Sequence, residues 1–556
     1  MSVQKPTAVE RALTAIEWLG NKLPDPIFLF IGATVLVMAL SWVGGALEWQ
    51  VQPVKPRVVM QIVDGVETPV LDASGKPLME LAPSGNAIRP RNLLTGDGLY
   101  WLIANMVRNF INFAPLGVVL VSMIGIGVAE KVGLFGAAMR YFAGIVPGPA
   151  LTPMVVFLGV MSNTASDAGY IILPPLAGAL FLALGRPPLA GIAAAFAGVS
   201  GGFSANLLIA STDALVAPLT ERGAQVLDPS YTVLPTSNWY FLAASTFVVT
   251  LAGWFVTAKV IEPRLVRAGG YDAGAAESQT LTDVERKGLK WALLALIGAA
   301  ALMAGLIAIP GAPLHGSMPA PAPAFGPIPV DAPAVPPEAK LMPRWSQGIV
   351  PFILVGFLLP GMAYGIATGA VKKASDVSRA FVHAMATMAP IIAMAFFAAQ
   401  FIECFRFSRL DAMLANAGGK VIVAADLPKP LLLTAVVLLV MVINLLMSSM
   451  SAKWTALSMI LVPMLMMAGI SPELTQAAYR VGDSITNIIT PLNSYIIVIL
   501  AVVQRYSKDA GIGNLIAMML PYSIVFCVVW TLFLLAWVAL GIPLGPNAPL
   551  WYVPGG

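Results

Sequence analysis

Residues 444–495 read NLLMSSMSAKWTALSMILVPMLMMAGISPELTQAAYRVGDSITNIITPLNSY, and this stretch decides the fold. Long apolar runs flank a segment that also holds two clusters of Ser, Thr and Asn. The segment also carries the charged residues Lys453, Arg480 and Asp483 and the helix-breaking residues Pro472 and Pro491. An ionised group at the centre of a bilayer costs about 2.5–3.5 kcal/mol on insertion scales, so such groups mark a functional site. The hypothesis requires the rest of the chain to be a membrane protein.

Composition meets that requirement. The chain has 556 residues, of which 58% are hydrophobic and 11% charged, whereas a soluble domain carries roughly 25% charged residues. The net charge of +4 is small and scattered, which argues against nucleic acid as a partner. Cys404 and Cys527 lie in apolar runs and are expected to be buried thiols. The chain contains no GxxxxGK[ST] motif, which argues against ATP-driven transport. The composition therefore indicates a polytopic membrane protein, for which we expect neither enzymatic activity nor a cofactor.

Apolar runs of about 20 residues are long enough to cross the hydrocarbon core. The runs that predict spanning helices are 25–46, 99–129, 188–217, 238–258, 291–309, 347–369, 380–404, 474–503 and 514–541. Two further apolar regions, 150–184 and 430–470, are broken by polar clusters into halves too short to span independently. Each is predicted to be a re-entrant helical hairpin, because irregular backbone at membrane depth is tolerated only beside a cavity. The predicted fold is all-α, with nine transmembrane helices and two such hairpins.

Basic residues set the predicted orientation. The loops 259–290, 370–379 and 505–508 are rich in Lys and Arg and are expected in the cytoplasm. The amino terminus is then cytoplasmic and the carboxyl terminus periplasmic. The loop between residues 47 and 98 is also basic, but long loops follow the rule less strictly.

The same order of segments occurs twice, in residues 99–258 and 380–541, and predicts an inverted-topology repeat with helices broken at the midplane. An offset of 284 residues aligns Pro188 with Pro472, Gly198 with Gly482 and Ser200 with Ser484. Around the repeats the predicted organisation is a lead, first span and extracytoplasmic loop (1–98), a cytoplasmic loop with scaffold helices (259–379), and a tail (542–556). Paired broken segments in two halves point to the substrate and ion sites of a transporter.

Asp483 and Arg480 lie three residues apart on a predicted helix and share a face. One interpretation is a self-neutralising ion pair that fixes helix packing. The functional interpretation is that Asp483 takes part in cation coupling while Arg480 faces an anionic substrate, since the arginine fork suits a carboxylate.

Other candidates lie at the two predicted hairpin tips. Asp167 has no basic neighbour in sequence and is either a helix cap or a carboxylate that takes a proton or cation. Trp454, beside Lys453, is either an interfacial anchor or a stacking platform for an aromatic ligand. Amide oxygens near the breaks suit sodium. The asparagines that provide them are Asn163, Asn206, Asn444 and Asn487.

The motifs SNTASDAGYIILPPLAG, SSMSAKW and YRVGDSITNIITPLNSY resemble the AbgT family of p-aminobenzoyl-glutamate transporters, and the resemblance covers nearly the whole chain. It implies a homodimer in the bacterial inner membrane, with sodium or the proton as coupling ion. The family's substrate residues fall on Asp167, Ser451, Trp454, Pro472, Arg480 and Pro491. Of the residues expected to couple an ion, Asp483, Asp167 and Asn444 fall on functional positions of the family, whereas Asn163 and Asn487 are expected from their amide oxygens near the breaks. Asn444, Asp483 and Asn163 are the candidate sodium ligands.

The expected function is therefore secondary active transport of p-aminobenzoyl-glutamate and related aromatic carboxylates, with export of sulfonamide antimetabolites as a further expectation. The alternative within transporters is a sodium-coupled dicarboxylate or citrate carrier of the same broad fold. A channel and an intramembrane hydrolase are weaker hypotheses, the second because no protease motif accompanies the two aspartates. The Pro- and Ala-rich segment 310–345 is longer than the family leads us to expect.

Overall fold

The structure is a computed structural model that describes residues 26–63, 66–70, 79–145, 147–165, 168–268, 281–319, 341–493 and 495–554. The predicted lead at residues 1–22 lies outside this part. The described residues are mostly helical. The helices of the amino-terminal half are α1 (Pro26–Ala46), α2 (Gly96–Ile111), α3 (Ala114–Lys131), α4 (Leu134–Ile145), α5 (Leu151–Ser162), α6 (Ala168–Ala183), α7 (Pro188–Phe196), α8 (Ser211–Ala224), α9 (Trp239–Val256) and α10 (Glu262–Ala268).

The later helices follow the same pattern of long, short and broken segments. They are α11 (Asp283–Ala308), α12 (Ile349–Thr368), α13 (Ala374–Thr387), α14 (Ala389–Phe407), α15 (Leu410–Ala424), α16 (Lys429–Leu446), α17 (Met450–Met467), α18 (Pro472–Thr486), α19 (Ile496–Gln504) and α20 (Ile512–Ala539). Single π-helical turns, Ala197–Gly201 and Thr257–Ile261, follow α7 and α9.

Short antiparallel strand pairs lie outside the helices. The polar excursion after α1 folds into two of them, β1 (Val54–Val58) with β4 (Met79–Pro83) and β2 (Met60–Val63) with β3 (Val66–Pro69). A third pair joins β5 (Ser317–Pro319) to β6 (Leu341–Pro343) and brackets the Pro-rich segment. The all-α prediction therefore holds for the helices, and the strand pairs lie in the loops between them.

Nine stretches in the described part of the chain are long and apolar enough to cross a membrane. Their number matches the prediction, but the set differs. Both arms of the second predicted hairpin, α16 and α17, are included, whereas the runs 188–217 and 474–503 are not. Each of those two runs breaks near its middle, and neither piece alone reaches the required length.

The two breaks resemble each other. After α7 and its π turn the backbone leaves the helix at Gly202 and returns to it at Ser211. After α18 it leaves at Asn487 and returns at Ile496. Glycine at the first break and Pro491 at the second favour a departure from helix, because glycine is flexible and proline lacks an N–H.

Helix boundaries in the two halves coincide at the predicted offset of 284 residues. The end of α5 at Ser162 corresponds to the end of α16 at Leu446, and the end of α6 to that of α17. The starts of α7 and α18, at Pro188 and Pro472, correspond as well. The offset inferred from a few residue matches thus also relates the helices.

A glycine in each half allows two helices to touch through their backbones. A Cβ on Gly198 would lie 2.3 Å from the carbonyl oxygen of Val156 on α5. A Cβ on Gly482 would lie 2.5 Å from the carbonyl oxygen of Val437 on α16. The broken helix of each half therefore packs directly on the first arm of the preceding helix pair.

Helix α18 lies at the centre of the molecule. Every residue from Pro472 to Thr486 is buried, and the helix packs against α8, α16, α17 and α20. By contrast α11 is largely exposed and contacts α12 at the periphery. The helix that carries the charged residues is thus the most enclosed one.

The carboxyl-terminal segment pairs with the start of α18. The amide of Ser471 donates to the carbonyl of Leu550 at 3.2 Å, and the amide of Tyr552 donates to the carbonyl of Gly469 at 3.1 Å. The carbonyl of Leu544 accepts a bond from the amide of Phe241 on α9 at 3.1 Å. This segment therefore links the two halves of the chain.

Gly482→Ala should lower the midpoint of thermal unfolding in detergent, because the added methyl group would overlap the carbonyl of Val437. Overpacking of this kind costs about 1–3 kcal/mol. The matched control is Gly298→Ala on α11, where a Cβ meets nothing within 4 Å. Equal midpoints for both variants would contradict the close packing of α16 and α18.

Candidate functional site

Arg480 on α18 is buried against an acidic partner from the other half of the chain. Its Nη1 contacts Oδ1 of Asp213 on α8, and the side chains are 1% and 6% exposed. The second carboxylate oxygen of Asp213 accepts a bond from the amide of Ala210 at 2.6 Å and so caps the start of α8. Within the described residues Nε of Arg480 has no acceptor. The guanidinium keeps an unused donor inside the protein.

Asp483, one turn further along α18, pairs with Lys453 on α17. The Nζ atom of Lys453 lies 2.5 Å from Oδ1 of Asp483, and both side chains are 0% exposed. Nζ also contacts Oδ1 of Asn444 at the end of α16. Three helices thus bring an ammonium, a carboxylate and an amide oxygen together.

The pairing of Arg480 with Asp483, which the structural interpretation of their spacing required, is therefore not formed. Residues three apart on an α-helix point about 60° apart around its axis. Because α18 is enclosed on all sides, that difference is enough for each side chain to meet a separate helix. Two interhelical ion pairs are formed in place of a local one.

Asn444 joins the two helix ends that meet at the second break. Its Nδ2 lies 2.7 Å from the carbonyl oxygen of Asp483 and 2.9 Å from both Thr486 Oγ1 and Asn487 Oδ1. These groups belong to the last turn of α18, where carbonyls lack helical partners. The amide of Asn444 therefore supplies bonds that the broken helix cannot make for itself.

Trp454 is 0% exposed and lies next to Lys453 on α17. Its ring stacks on Tyr479 with 4.3 Å between centroids and 26° between planes, and its Nε1 donates to Thr220 Oγ1 at 2.9 Å. One face of the ring predicted as a ligand platform is therefore covered by Tyr479 in this conformation. Ser451 lies near the start of the same helix, with Oγ 3.4 Å from Oγ of Ser449.

At the first tip Asn163 donates from Nδ2 to the carbonyls of Val160 at 3.1 Å and Gly202 at 3.4 Å. Its Oδ1 is buried and accepts no bond within the described residues. Thr164 Oγ1 donates to Oδ1 of Asn206 at 3.0 Å, which ties the tip to the first break. Asp167 lies outside the described residues.

The two breaks contact each other. The amide of Ser204 donates to Ser484 Oγ at 3.1 Å, and Nδ2 of Asn493 donates to Ser200 Oγ at 3.1 Å. Ser200 and Ser484 are the serines that correspond at the repeat offset. The structure therefore places the polar backbone of both halves at one interface.

The two prolines are not beside Arg480. Pro472 is the first residue of α18 and follows the capping residue Ser471, which places it about 12 Å from Arg480 along the helix axis. Pro491 lies in the break beyond the end of α18. In this conformation Pro472 lies at the start, and Pro491 beyond the end, of the helix that carries the charged groups.

Sequence reasoning missed Asp213, Tyr479 and Thr220 as members of this site, and it gave Lys453 no role. Asp213 follows Ser211 and Thr212 at a helix start, a pattern typical of a cap. Two facts could have indicated Asp213 as the partner of Arg480. A buried arginine requires an acidic partner, and Asp213 lies near the end of the predicted span 188–217.

A helical protein with two broken helices, and with buried charges paired across them, has the architecture of a membrane transporter. The chain belongs to the AbgT family: a family model described as "AbgT putative transporter family" matches residues 11–552. The p-aminobenzoyl-glutamate transport protein of Escherichia coli (strain K12) is 34% identical over 534 residues, which are 96% of this chain and 95% of that protein.

Two solved structures resemble the fold. The YdaH transporter of Alcanivorax borkumensis, described as having an unusual topology, is 39% identical with a TM-score of 0.79, and the match covers 94% of this chain and 100% of that one. MtrF of Neisseria gonorrhoeae, described as illuminating a class of antimetabolite efflux pumps, is 40% identical with a TM-score of 0.81, over 97% and 100% of the two chains.

Asp213→Ala and Arg480→Ala should each destabilise the protein by about 3–5 kcal/mol, because either change leaves an uncompensated buried charge. The double variant Asp213→Leu with Arg480→Met removes both charges and should recover much of the unfolding midpoint. Thermal unfolding in detergent measures both effects. Arg379→Ala is the control, since Arg379 pairs with Asp376 on an exposed surface and should leave the midpoint unchanged. A double variant no more stable than the singles would contradict the pairing.

Proposed function

We propose that this chain is a secondary active transporter of p-aminobenzoyl-glutamate and related aromatic carboxylates, driven by a sodium or proton gradient. The family and the named substrate of the Escherichia coli relative support the proposal. The observation that carries it is a buried cation next to an aromatic pair. Arg480 directly follows Tyr479, on which Trp454 stacks.

This combination suits a ligand with a ring at one end and carboxylates at the other. The arginine fork can make two parallel bonds to a carboxylate, and Nε of Arg480 is already free of an acceptor among the described residues. A ring that replaced Tyr479 against Trp454 would keep the stacking. On substrate binding, a ligand carboxylate would replace Asp213 beside Arg480, and the ligand ring would replace Tyr479 against Trp454.

The site is sealed in this conformation, since Trp454, Arg480 and Asp483 are at most 1% exposed. Transport therefore requires a second conformation in which these groups are accessible. We propose that the halves 99–258 and 380–541 form an inverted repeat with re-entrant hairpins at 150–184 and 430–470. Such repeats alternate access by movement of one element against the other around a fixed site.

Sulfonamide export is a second activity of the same proposed site, supported by the likeness to an antimetabolite efflux pump. A sulfonamide antimetabolite shares the aromatic amine and has no glutamate tail, so it depends on the ring contact more than on Arg480. A dicarboxylate or citrate carrier remains the alternative hypothesis. The stacked Trp454 and Tyr479 disfavour it, because these substrates have no ring.

We further propose a homodimer in the bacterial inner membrane, with the amino terminus in the cytoplasm and the carboxyl terminus in the periplasm. The family and the multi-span architecture support the location. Labelling of single cysteines at exposed loop positions from each side of the membrane tests the orientation.

Uptake of labelled p-aminobenzoyl-glutamate into proteoliposomes tests the proposed function directly. Sodium and proton gradients are imposed separately, with unlabelled citrate and a sulfonamide as competitors. Uptake above the protein-free rate under one of the two gradients, with competition by the sulfonamide, supports the proposal. Competition by citrate alone would favour the alternative carrier.

Arg480→Lys should weaken p-aminobenzoyl-glutamate more than a sulfonamide, because lysine keeps the charge facing Asp213 but loses the bidentate fork. A charge-assisted bond is worth about 1.5–3 kcal/mol, which is roughly 10- to 150-fold in affinity. Trp454→Ala should weaken both ligands alike, because stacking adds about 0.5–1.5 kcal/mol. Calorimetric titration measures the affinity of each of the two variants for each of the two ligands. Equal losses for both ligands in Arg480→Lys would indicate a purely structural arginine.

Asp483→Asn and Asp167→Asn should abolish gradient-driven uptake while substrate exchange across the membrane persists. Each change removes a charge at nearly constant shape. Because Asp483→Asn also leaves the buried ammonium of Lys453 without its counter-ion, uptake is compared per amount of folded protein, as measured by the unfolding midpoint. Paired measurements of gradient-driven uptake and of counterflow in the same proteoliposomes distinguish loss of coupling from loss of substrate exchange. Wild-type uptake by both variants would exclude the aspartates from coupling.

A further inference from the structure

The residues predicted as sodium ligands can be compared with the groups that surround them. Sodium prefers oxygen ligands, and Asn444 and Asp483 do provide two of them. Nζ of Lys453 lies 2.5 Å from Asp483 Oδ1 and contacts Asn444 Oδ1. That separation is similar to the length of a bond between oxygen and a hard cation, roughly 2.3–2.6 Å for calcium. The ammonium therefore occupies the position between both oxygens that a metal ion would take.

Charge balance gives a second argument. Four charged side chains are buried around the second half of α18: Lys453, Arg480, Asp213 and Asp483. Glu473, also buried, lies in the first turn of that helix, ten residues before Asp483, where it accepts a bond from the Tyr231 hydroxyl at 2.9 Å. Each of the four is paired with one of opposite sign, so the group is neutral as it stands. A sodium ion added to it would leave a net positive charge without exposed surface, which is costly away from water.

A third argument is that Lys453 cannot easily lie elsewhere. It is 1% exposed and sits on α17 between Ala452 and Trp454, which are 2% and 0% exposed. Its amide donates to the carbonyl of Ser449 at 3.1 Å in the first turn of that helix. The side chain emerges into the protein, with Asn444 and Asp483 as the oxygens it contacts.

We propose that Lys453 is a tethered cation that occupies the Asp483 site and excludes sodium from the oxygens of Asn444 and Asp483. Lys453 is then the residue that determines ion specificity at this site. If sodium couples transport in this protein, it binds to other oxygens. Among the three predicted ligands, Asn163 is the one that Lys453 does not contact, and its Oδ1 is buried without a hydrogen-bond donor in the described residues. Oδ2 of Asp483 likewise has no donor there, but it belongs to the carboxylate whose charge Lys453 balances.

Sodium binding by the purified full-length protein tests the proposal without substrate or transport. The measurement is the shift in thermal unfolding midpoint on replacing choline chloride by sodium chloride at constant ionic strength, confirmed by equilibrium binding of radioactive sodium. Any sodium-specific shift in the wild type should be the same in Asp483→Asn. Lys453→Met should gain a saturable, sodium-specific shift, because the carboxylate of Asp483 then lacks a counter-ion. The double variant Lys453→Met with Asp483→Asn should lose that gain.

The control is Lys420→Met, which removes a lysine whose ammonium contacts the backbone carbonyl of Gln52 at 2.8 Å and should gain no sodium-specific shift. A saturable sodium shift in the wild type that Asp483→Asn abolishes would overturn the proposal, as would a folded Lys453→Met variant that gains none. If Lys453→Met does not fold, the comparison of wild type with Asp483→Asn still decides. The transport proposal is unaffected by either result, since p-aminobenzoyl-glutamate uptake is measured separately.

Discussion

A charge enclosed in a membrane protein has to meet its opposite inside the protein, because neither lipid nor water is there to solvate it. Helix α18 carries Arg480 and Asp483 in its interior turns, and every residue of this helix is buried. Their partners come from α8 and α17, and Asn444 of α16 completes the second pair. Those helices must therefore pack around α18 in one arrangement. Breaking a buried pair costs about 3–5 kcal/mol, so the arrangement is strongly specified.

The broken helices impose a second demand, since each break leaves backbone groups without helical partners. At both breaks side chains supply these missing hydrogen bonds. Asn444 bonds the end of α18, Asn163 bonds the carbonyl of Gly202, and Ser484 accepts from the amide of Ser204. Asn444 and Asn163 were first singled out as ligand candidates. In the sealed conformation they hold the irregular backbone, so a ligand that binds them has to compete with the protein's own chain.

Hydropathy was sufficient to predict seven of the nine apolar spans in the described part of the chain, because these depend on local composition. The offset of 284 came from residue matches, and the helix boundaries agree with it. The partner of Arg480 could not be predicted in the same way. Asp213 lies 267 residues earlier in a pattern that also describes an ordinary helix cap. The i, i+3 spacing instead favoured Asp483, since local rules do not include the helices that surround α18. For the same reason the stacking of Tyr479 on Trp454 depends on how α17 and α18 cross.

The pairing of residues 469–471 with the carboxyl-terminal segment has a consequence for biosynthesis. The strand-like contacts of Gly469 and Ser471 are made by Tyr552 and Leu550, which follow α20 in the chain and are synthesised after it. The amide of Phe241 on α9 likewise bonds Leu544, although some 300 residues are synthesised between them. The start of the charged helix thus acquires these bonds only after α20 has been synthesised, so this part of the membrane core is completed later than the helices around it.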